Sequence, residues 1–394
     1  MNIRRLGLIA AAATLSISAQ TPLQVGDVRE YRSETPHPYP LGRGDRPVVW
    51  SDRVVSPGAT FVRVHFLGFH LAPGDYVTVS SLDGSQFWTY ADRGPHGNGE
   101  FWSFAVDGDT AIVEIRGGPR NGHGYKIDSI GHGTVDIGFG RRPQPTQEVV
   151  CGTDGREDIV CHANESMIDA AQKAVARLLF VSGGLQYVCT GWLVAGSNAS
   201  TMLTNNHCMK NQTEWSSLQA KFNYQRTTCG GASNDTTTDY AGGTFLKTNS
   251  VNRRGNRGGL DYTIGTLQGN PESTWGEVVA TTLVAPVNTL IWFIQHPGGN
   301  QKKIGYWEHS NLTSRCKVDT SGATYGQAAT GSQIGYGCDS EGGSSGSPII
   351  NSSTGRAIGL HHYGGVSSNP CLNSATMMSR VCSDAGSLLS CASN

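Results

Sequence analysis

Apolar and polar residues alternate in three stretches of the first third of the chain, Thr60-Phe-Val-Arg-Val-His-Phe66, Tyr76-Val-Thr-Val-Ser80 and Thr110-Ala-Ile-Val-Glu-Ile-Arg116. Successive side chains of a strand point to opposite faces, so a period of two predicts half-buried strands. Pro73-Gly74-Asp75, Asp83-Gly84 and Asp107-Gly108-Asp109 punctuate them as turns. Short strands at this spacing predict an antiparallel β-sandwich or jelly roll over residues 20–136. Phe87, Trp88, Tyr90, Phe101, Trp102 and Phe104 either fill its core or line a ligand face, and the core is the favoured place. Residues 137–150 are polar and proline-rich and read as a linker. Arg141-Arg142 within it is a candidate processing site, although Pro143 would obstruct many proteases.

Charge and composition narrow the class. The 394 residues carry 30 Lys+Arg against 31 Asp+Glu, a formal net charge of -1, which removes any bulk electrostatic case for nucleic acid or an anionic membrane. Charged residues are 15% and glycines number 52, which suits short strands and tight turns rather than a helical bundle or coiled coil. Arg4 and Arg5, the apolar run Leu6–Ile17 and a small-residue site at Ser18-Ala19 predict a secretory signal over residues 1–19. No later run reaches the roughly 18 apolar residues of a membrane helix, so a secreted, extracellular, soluble protein is expected.

All ten cysteines lie between Cys151 and Cys391, and an even number in a secreted chain predicts up to five disulfides there. The first region must then hold together by packing alone, which suggests separate domains at 20–136 and 151–394. Sequons begin at Asn164, Asn198, Asn211, Asn234, Asn311 and Asn351 and permit glycosylation.

Candidate chemistry sits in the cysteine-bearing region, in Leu203-Thr-Asn-Asn-His-Cys208, Gly259-Leu-Asp-Tyr-Thr-Ile-Gly-Thr-Leu267 and Gly342-Gly-Ser-Ser-Gly-Ser-Pro-Ile349. A serine hydroxyl is a weak nucleophile and needs an imidazole to take its proton. The imidazole in turn needs a buried carboxylate to fix its tautomer and stabilise its cation. His207, Asp261 and Ser345 could supply this triad, and the N–H groups of Gly343 and Ser345 an oxyanion hole. Each segment alone is a weak signal; the order His, Asp, Ser at intervals of 54 and 84 residues is far more specific.

Residues Cys151 to about Cys391 resemble a chymotrypsin-fold (trypsin-like) serine endopeptidase, most closely the bacterial lysyl endopeptidase branch. Cys189-Thr-Gly-Trp-Leu-Val194, Thr204-Asn-Asn-His-Cys208 and Gly343-Ser-Ser-Gly-Ser-Pro348 carry the general likeness. Asn223-Tyr-Gln-Arg-Thr-Thr-Cys229, Gln295-His-Pro297 and Gly359-Leu-His-His-Tyr-Gly-Gly365 carry the specific one. The resemblance implies an all-β chain in which the sandwich precedes two six-stranded barrels with the triad between them. It also implies a propeptide, so the sandwich could be a removable pro-domain, a permanent module, or both in turn. Cys189 and Cys208 would bracket the strands presenting His207, and the family pattern suggests Cys151 with Cys371 and Cys161 with Cys229. The remainder are assigned as Cys316–Cys338 and Cys382–Cys391, although sequence alone leaves connectivity open.

Two departures from the family bear on mechanism. Ser344 stands where zymogen-type relatives carry an activating Asp, and Ser374-Ala-Thr-Met-Met-Ser-Arg-Val381 lacks the acid that binds lysine in lysyl endopeptidases. Asp339, six residues before Ser345, occupies the trypsin-like place for a carboxylate at the base of the specificity pocket and predicts cleavage after Lys or Arg. The bland reading makes it a structural acid. His361 and His362 offer the competing thought of a glutamate-binding pocket, with His362, Tyr363 and Gly364 along its wall and bonding substrate backbone. His296 reads as structural. No histidines have metal-ligand spacing, His37, His65, His70, His96 and His123 included, and neither metal nor cofactor is expected. The expected partners are protein or peptide substrates, met by a monomer. The alternative function is a catalytically inactive, protease-like binding protein.

Overall fold

The computed structural model describes residues 21–137, 150–253, 256–309, 311–366 and 369–393. The expected signal and most of the expected linker lie outside them.

Residues 21–137 contribute nine strands: β1 (Leu23–Glu34), β2 (Val48–Val55), β3 (Phe61–His70), β4 (Tyr76–Ser81), β5 (Phe87–Ala91), β6 (Phe101–Trp102), β7 (Val106–Asp107), β8 (Thr110–Arg116) and β9 (Gly124–Gly133). They form two facing sheets, β1-β9-β3-β6 with β7 beside β3, and β2-β8-β4-β5. The alternation seen in the sequence becomes alternate burial: along β4 and β8, Val77, Val79, Val113 and Ile115 turn inward and are fully buried, while Ile112 and Glu114 face outward. Gly84 and Gly108 end strands at φ +70 and +82, conformations that favour glycine. Phe66, Phe69, Phe101 and Tyr125 pack as edge-on and stacked rings with centroids 5.0–6.4 Å apart, which supplies cohesion to a region without a disulfide. Of the aromatics singled out in the sequence, Tyr90 and Phe101 join this core, whereas Phe87 is 64% exposed.

After β10 (Arg156–Asp158) come β11 (Val175–Ser182), β12 (Leu185–Leu193), β13 (Thr201–Thr204), β14 (Gln219–Phe222) and β15 (Thr238–Asn249). A two-strand hairpin, β16 (Asn252–Arg253) and β17 (Asn256–Arg257), precedes β18 (Tyr262–Leu267). The order β11-β14-β15-β18-β13-β12 returns to β11, closing a six-stranded barrel. Closure leaves no free edge for most of its length. The β11–β12 hairpin turns on Gly183 and Gly184, both at positive φ, as a two-residue turn that matches strand twist requires.

The last set comprises β19 (Ile291–Gln295), β20 (Lys303–Gly305), β21 (Trp307–Glu308), β22 (Asn311–Arg315), β23 (Val318–Ala323), β24 (Gln333–Tyr336), β25 (Pro348–Asn351), β26 (Ala357–Tyr363) and β27 (Asn373–Met377). With β10 they build an eight-stranded sheet, β10-β20-β19-β25-β26-β27-β24-β23, while β21 and β22 pair apart. This sheet is a half-barrel, where the sequence led us to expect a second closed six-stranded one. Among the described residues its two flanks meet around the bridge of Leu290 with Lys317, where Asn288 N donates to Val318 O, Ile291 N to Cys316 O and Val318 N to Thr289 O.

Five disulfides join Cys151–Cys371, Cys161–Cys229, Cys189–Cys208, Cys316–Cys338 and Cys382–Cys391. All lie beyond residue 150. One relation was not expected: β1 pairs with β9 of the sandwich and, through its first residues, with β12 of the barrel.

A titration in the sandwich gives a test of its packing. Burial pushes the Asp107 carboxyl up to about 7, although Gln86 donates to it. The folded state therefore keeps a proton that the unfolded chain releases near pH 4. That contribution to stability is complete below about pH 4 and is lost as pH rises to about 7. Asp107→Asn, which keeps an oxygen for Gln86, should raise the melting temperature at pH 8 and leave it almost unchanged at pH 4. Scanning calorimetry at both values checks this, and equal shifts would contradict it.

Candidate active site

The turn after β13 places His207. Thr204 Oγ1 donates to Thr190 O at 2.8 Å, Asn205 Nδ2 to Asp261 O at 2.8 Å and Asn206 Nδ2 to Thr248 Oγ1 at 2.7 Å. Cys208 is tied to Cys189 on β12. The histidine is thus fixed by both flanks before any contact of its ring.

Asp261 enters β18 with φ +50, a left-handed conformation that Asp adopts more readily than most residues. Its carboxylate is buried and accepts His207 N at 2.9 Å and His207 Nδ1 at 2.7 Å. His362 Nδ1 stands 3.3 Å from the same Oδ2, and His362 Nε2 bonds Gln333 Oε1 at 2.5 Å. Burial alone would raise the Asp261 pKa, but the charge and hydrogen bond of His207, followed by His362, outweigh it and hold the carboxyl well below the usual range. With Nδ1 committed to the carboxylate, His207 Nε2 is buried and has no hydrogen-bond partner among the described residues. A proton acceptor is left facing away from Asp261.

Ser345 lies in the turn leading into β25, from the other sheet, and is 2% exposed. The turn is held from the first barrel: Thr190 N donates to Ser345 O at 2.8 Å and Thr190 Oγ1 to Gly343 O at 2.9 Å. Gly343 has φ +98, and a Cβ there would sit 2.8 Å from Gly299 N and 2.9 Å from His296 O, so glycine is required on both counts. The amides of Gly343 and Ser345 donate to no acceptor among the described residues. Ser344 Oγ donates to Gln295 Oε1 at 2.6 Å, while Gln295 Nε2 donates to Asp339 O at 2.8 Å. The Gln295-His-Pro297 segment therefore buttresses this turn, and His296, buried and bonded through Nδ1 to Asn300 O, is part of that frame.

The structure gives the expected pocket residues partners within the chain. Asp339 is 1% exposed, and both its oxygens are taken, Oδ1 by Cys151 N at 3.1 Å and Oδ2 by Gly155 N at 2.7 Å. It ties the segment after the linker to the strand end before the Ser345 turn, as does Arg156 through Glu341 at 2.9 Å. Burial raises its pKa and the two amides oppose the rise. His362 is fully buried and spent on Asp261 and Gln333, so it does not form an exposed pocket wall. Its bond to Asp261 was missed, although the His-His-Tyr run was the signal, because strand alternation leaves open which histidine turns inward. The Tyr363 ring lies tilted against His362 with centroids 3.8 Å apart, and Gly364 follows the end of β26. His361 bonds Tyr336 OH through Nδ1 at 2.6 Å.

Cys189, His207 and Cys208 place ligand-type atoms within 4.8 Å of one another, but the two sulfurs are joined in a disulfide and offer no thiolate.

A closed barrel beside a half-barrel, with a buried His–Asp pair on one and a Gly-Ser-Ser-Gly turn on the other, defines the class: a trypsin-like serine protease of the chymotrypsin fold. Residues 153–377 match the family model described as lysyl endopeptidase, C-terminal domain, and the chain belongs to that family. The chain is 28% identical over 325 residues to secreted RxLR effector protein 73 of Plasmopara viticola, covering 78% of this chain and 75% of that one. It is 26% identical over 297 residues to a lysyl endopeptidase of Pseudomonas aeruginosa, covering 71% of this chain and 59% of that relative's length. Among solved structures, a Glu endopeptidase is 20% identical with a TM-score of 0.41, over 60% of this chain and 96% of that one.

Proposed function

We propose that the chain is an extracellular serine endopeptidase in which Ser345 is the nucleophile, His207 the general base and Asp261 its partner. The observation that carries the reading is the 2.7 Å bond from His207 Nδ1 to a buried carboxylate, with Nε2 left unbonded. Ser345 Oγ attacks the scissile carbonyl carbon and its proton passes to Nε2. The carbonyl oxygen becomes an oxyanion that the free amides of Gly343 and Ser345 can bind. Nε2 returns the proton to the leaving amine as the C–N bond breaks, and water repeats the sequence on the acyl-enzyme. Five disulfides and the secreted effector among the relatives support the extracellular setting.

For specificity, the occupied carboxylate of Asp339 speaks against the expected preference for Lys or Arg. We carry forward the alternative, a preference for acidic or uncharged side chains before the scissile bond. A digest of a denatured protein mixture, with every new end read by mass spectrometry, tests this; cuts confined to Lys and Arg would sink it. Asp339→Asn sharpens the test, since the amide keeps one acceptor and turns a donor toward the other N–H. Loosening of the nucleophile turn should lower kcat for every substrate by about tenfold or more without changing the preference. A selective loss of cleavage after basic residues would instead make Asp339 a pocket carboxylate.

A second reading, a protease-like binding protein, draws on the effector among the relatives and on the missing Ser345–His207 hydrogen bond. Such bonds often form only when substrate arrives. Covalent labelling of Ser345 by a fluorophosphonate separates the two readings.

A further inference from the structure

We propose that residues 21–137 form a permanent, non-covalently held subunit of the peptidase, so that a cut in the linker yields a stable two-chain complex and not a released pro-domain. The inference concerns the flank of the first barrel and does not depend on the catalytic reading.

The flank is built to receive a strand. β12 pairs with β13 only at Trp192 and Leu193, so its first residues would otherwise present an open edge. β1 takes that edge, pairing Leu23 with Val188, Gln24 with Tyr187, Gly26 with Gln186 and Asp27 with Leu185. Val28 N adds a bond to Gly184 O at 2.9 Å. Backbone pairing of this kind supplies affinity in strand-addition complexes, and its loss would uncover an edge prone to aggregation.

Side chains from both partners then bury what neither could bury alone. Val25, Phe61 and Ile137 of the sandwich share one apolar cluster with Leu179 and Val188 of the barrel. Arg63, near the start of β3, is fully buried; its Nε donates to Ser103 O at 2.9 Å and its second guanidinium nitrogen to Ser217 O of the barrel at 2.7 Å. In return Arg177 of the barrel donates to Ile137 O at 2.6 Å. Ala105 N donates to Gln219 Oε1 at 2.9 Å, and His96 bonds both Ser216 O at 2.9 Å and Gln268 at 3.0 Å. Between these contacts lies a cavity of about 600 Å³, lined by Trp88 and Asp107 from one side and by Arg177, Gln219 and Lys221 from the other.

Two buried guanidinium groups, each using a carbonyl of the opposite partner, make separation costly, because a desolvated charge would lose an acceptor on both surfaces. The contacts named here fall on β11, β12, β14, the residues around the short helix Gln212–Ser216 and Gln268 at the end of β18, a set different from the turns of His207 and Ser345. A domain docked there need not leave for substrate to enter.

The test replaces residues 141–146 with a flexible insertion bearing a site for an unrelated specific protease, in a Ser345→Ala background that excludes self-cleavage. None of the five disulfides crosses the linker, so only the interface can hold the cut halves. After complete cutting of the folded protein, both fragments should elute together at 1:1 stoichiometry at micromolar concentration, with a melting temperature within a few degrees of the uncut chain. Two separate peaks, or aggregation of residues 150–394 with the sandwich in solution, would overturn the proposal. Val25→Asp puts a carboxylate among Phe61, Leu179 and Val188 and should make the same cut protein separate. Should that variant not fold, a urea titration of cut and uncut proteins decides, with retained association predicting midpoints that move together for both halves.

Discussion

Ser345→Ala is expected to lower kcat by roughly 10⁶-fold, the scale on which triads lose activity when the nucleophile is removed. The hydroxyl is asked to do chemistry and nothing else: Ser345 is 2% exposed, its carbonyl is bonded by Thr190 N, and its turn is held through Thr190, Gln295 and Gly346, none of which uses Oγ. Alanine fits the same backbone, so the melting temperature should move by no more than a degree or two. Steady-state hydrolysis of a denatured protein substrate and thermal unfolding of the same preparation measure the two quantities. A residual rate well above background would remain, because the amides of Gly343 and residue 345 still face the oxyanion position. Loss of less than tenfold would remove Ser345 from the chemistry, and a large loss of stability would make it a structural residue.

Strands β4 and β8 of the sandwich were legible because one face of each is partly wet. Along Tyr76–Ser81 and Thr110–Arg116 the alternation in the sequence is the alternation of burial, and the turns carry glycines at positive φ. The barrels were legible only through resemblance. β13, β24 and β25 are buried on both faces or nearly so, so their residues carry no period to read. The strand shared between sandwich and barrel was hidden for another reason. Pairing of Leu23–Asp27 with Leu185–Val188 is written in backbone hydrogen bonds, which any non-proline residue can make. The open second barrel was equally hidden, since its strand order rests on backbone pairing rather than on composition.

At the site, sequence spacing brought forward the His, Asp and Ser types but not their supports. Thr190 and Gln295 hold the nucleophile turn through bonds spanning 153 and 49 residues, separations at which no local rule operates. Asp339 shows the limit of positional analogy. Its place six residues before Ser345 suggested a pocket carboxylate, whereas the backbone amides of Cys151 and Gly155 supply the acceptor's partners instead. A carboxylate that meets two N–H groups is satisfied, and a satisfied buried acid is poorly placed to recruit a substrate cation.

Asp261→Asn should lower kcat at neutral pH by about 10⁴-fold while leaving the fold intact. Asparagine is the other residue that tolerates the left-handed backbone observed at φ +50, so the exchange tests the carboxylate and not the turn. The carboxylate accepts His207 N and His207 Nδ1 and faces His362 Nδ1, three donors around two oxygens. An amide offers one oxygen and two N–H groups. If its nitrogen meets His207 Nδ1, the imidazole must carry its proton on Nε2, where it cannot accept one from Ser345. If its oxygen keeps Nδ1, the His207 amide faces a donor and the ring loses its anchor. Either way the protonated imidazole loses the charge that stabilises it in the transition state. Stability should follow a separate course with pH. The folded carboxyl lies below its unfolded value, so its contribution is present above about pH 4 and lost as pH falls further. The variant should therefore show a smaller decline in melting temperature between pH 5 and pH 3 than the parent. Rate at neutral pH and unfolding across pH 5 to 3 give both answers, and a variant that keeps more than a tenth of the parent kcat would remove Asp261 from its assigned role.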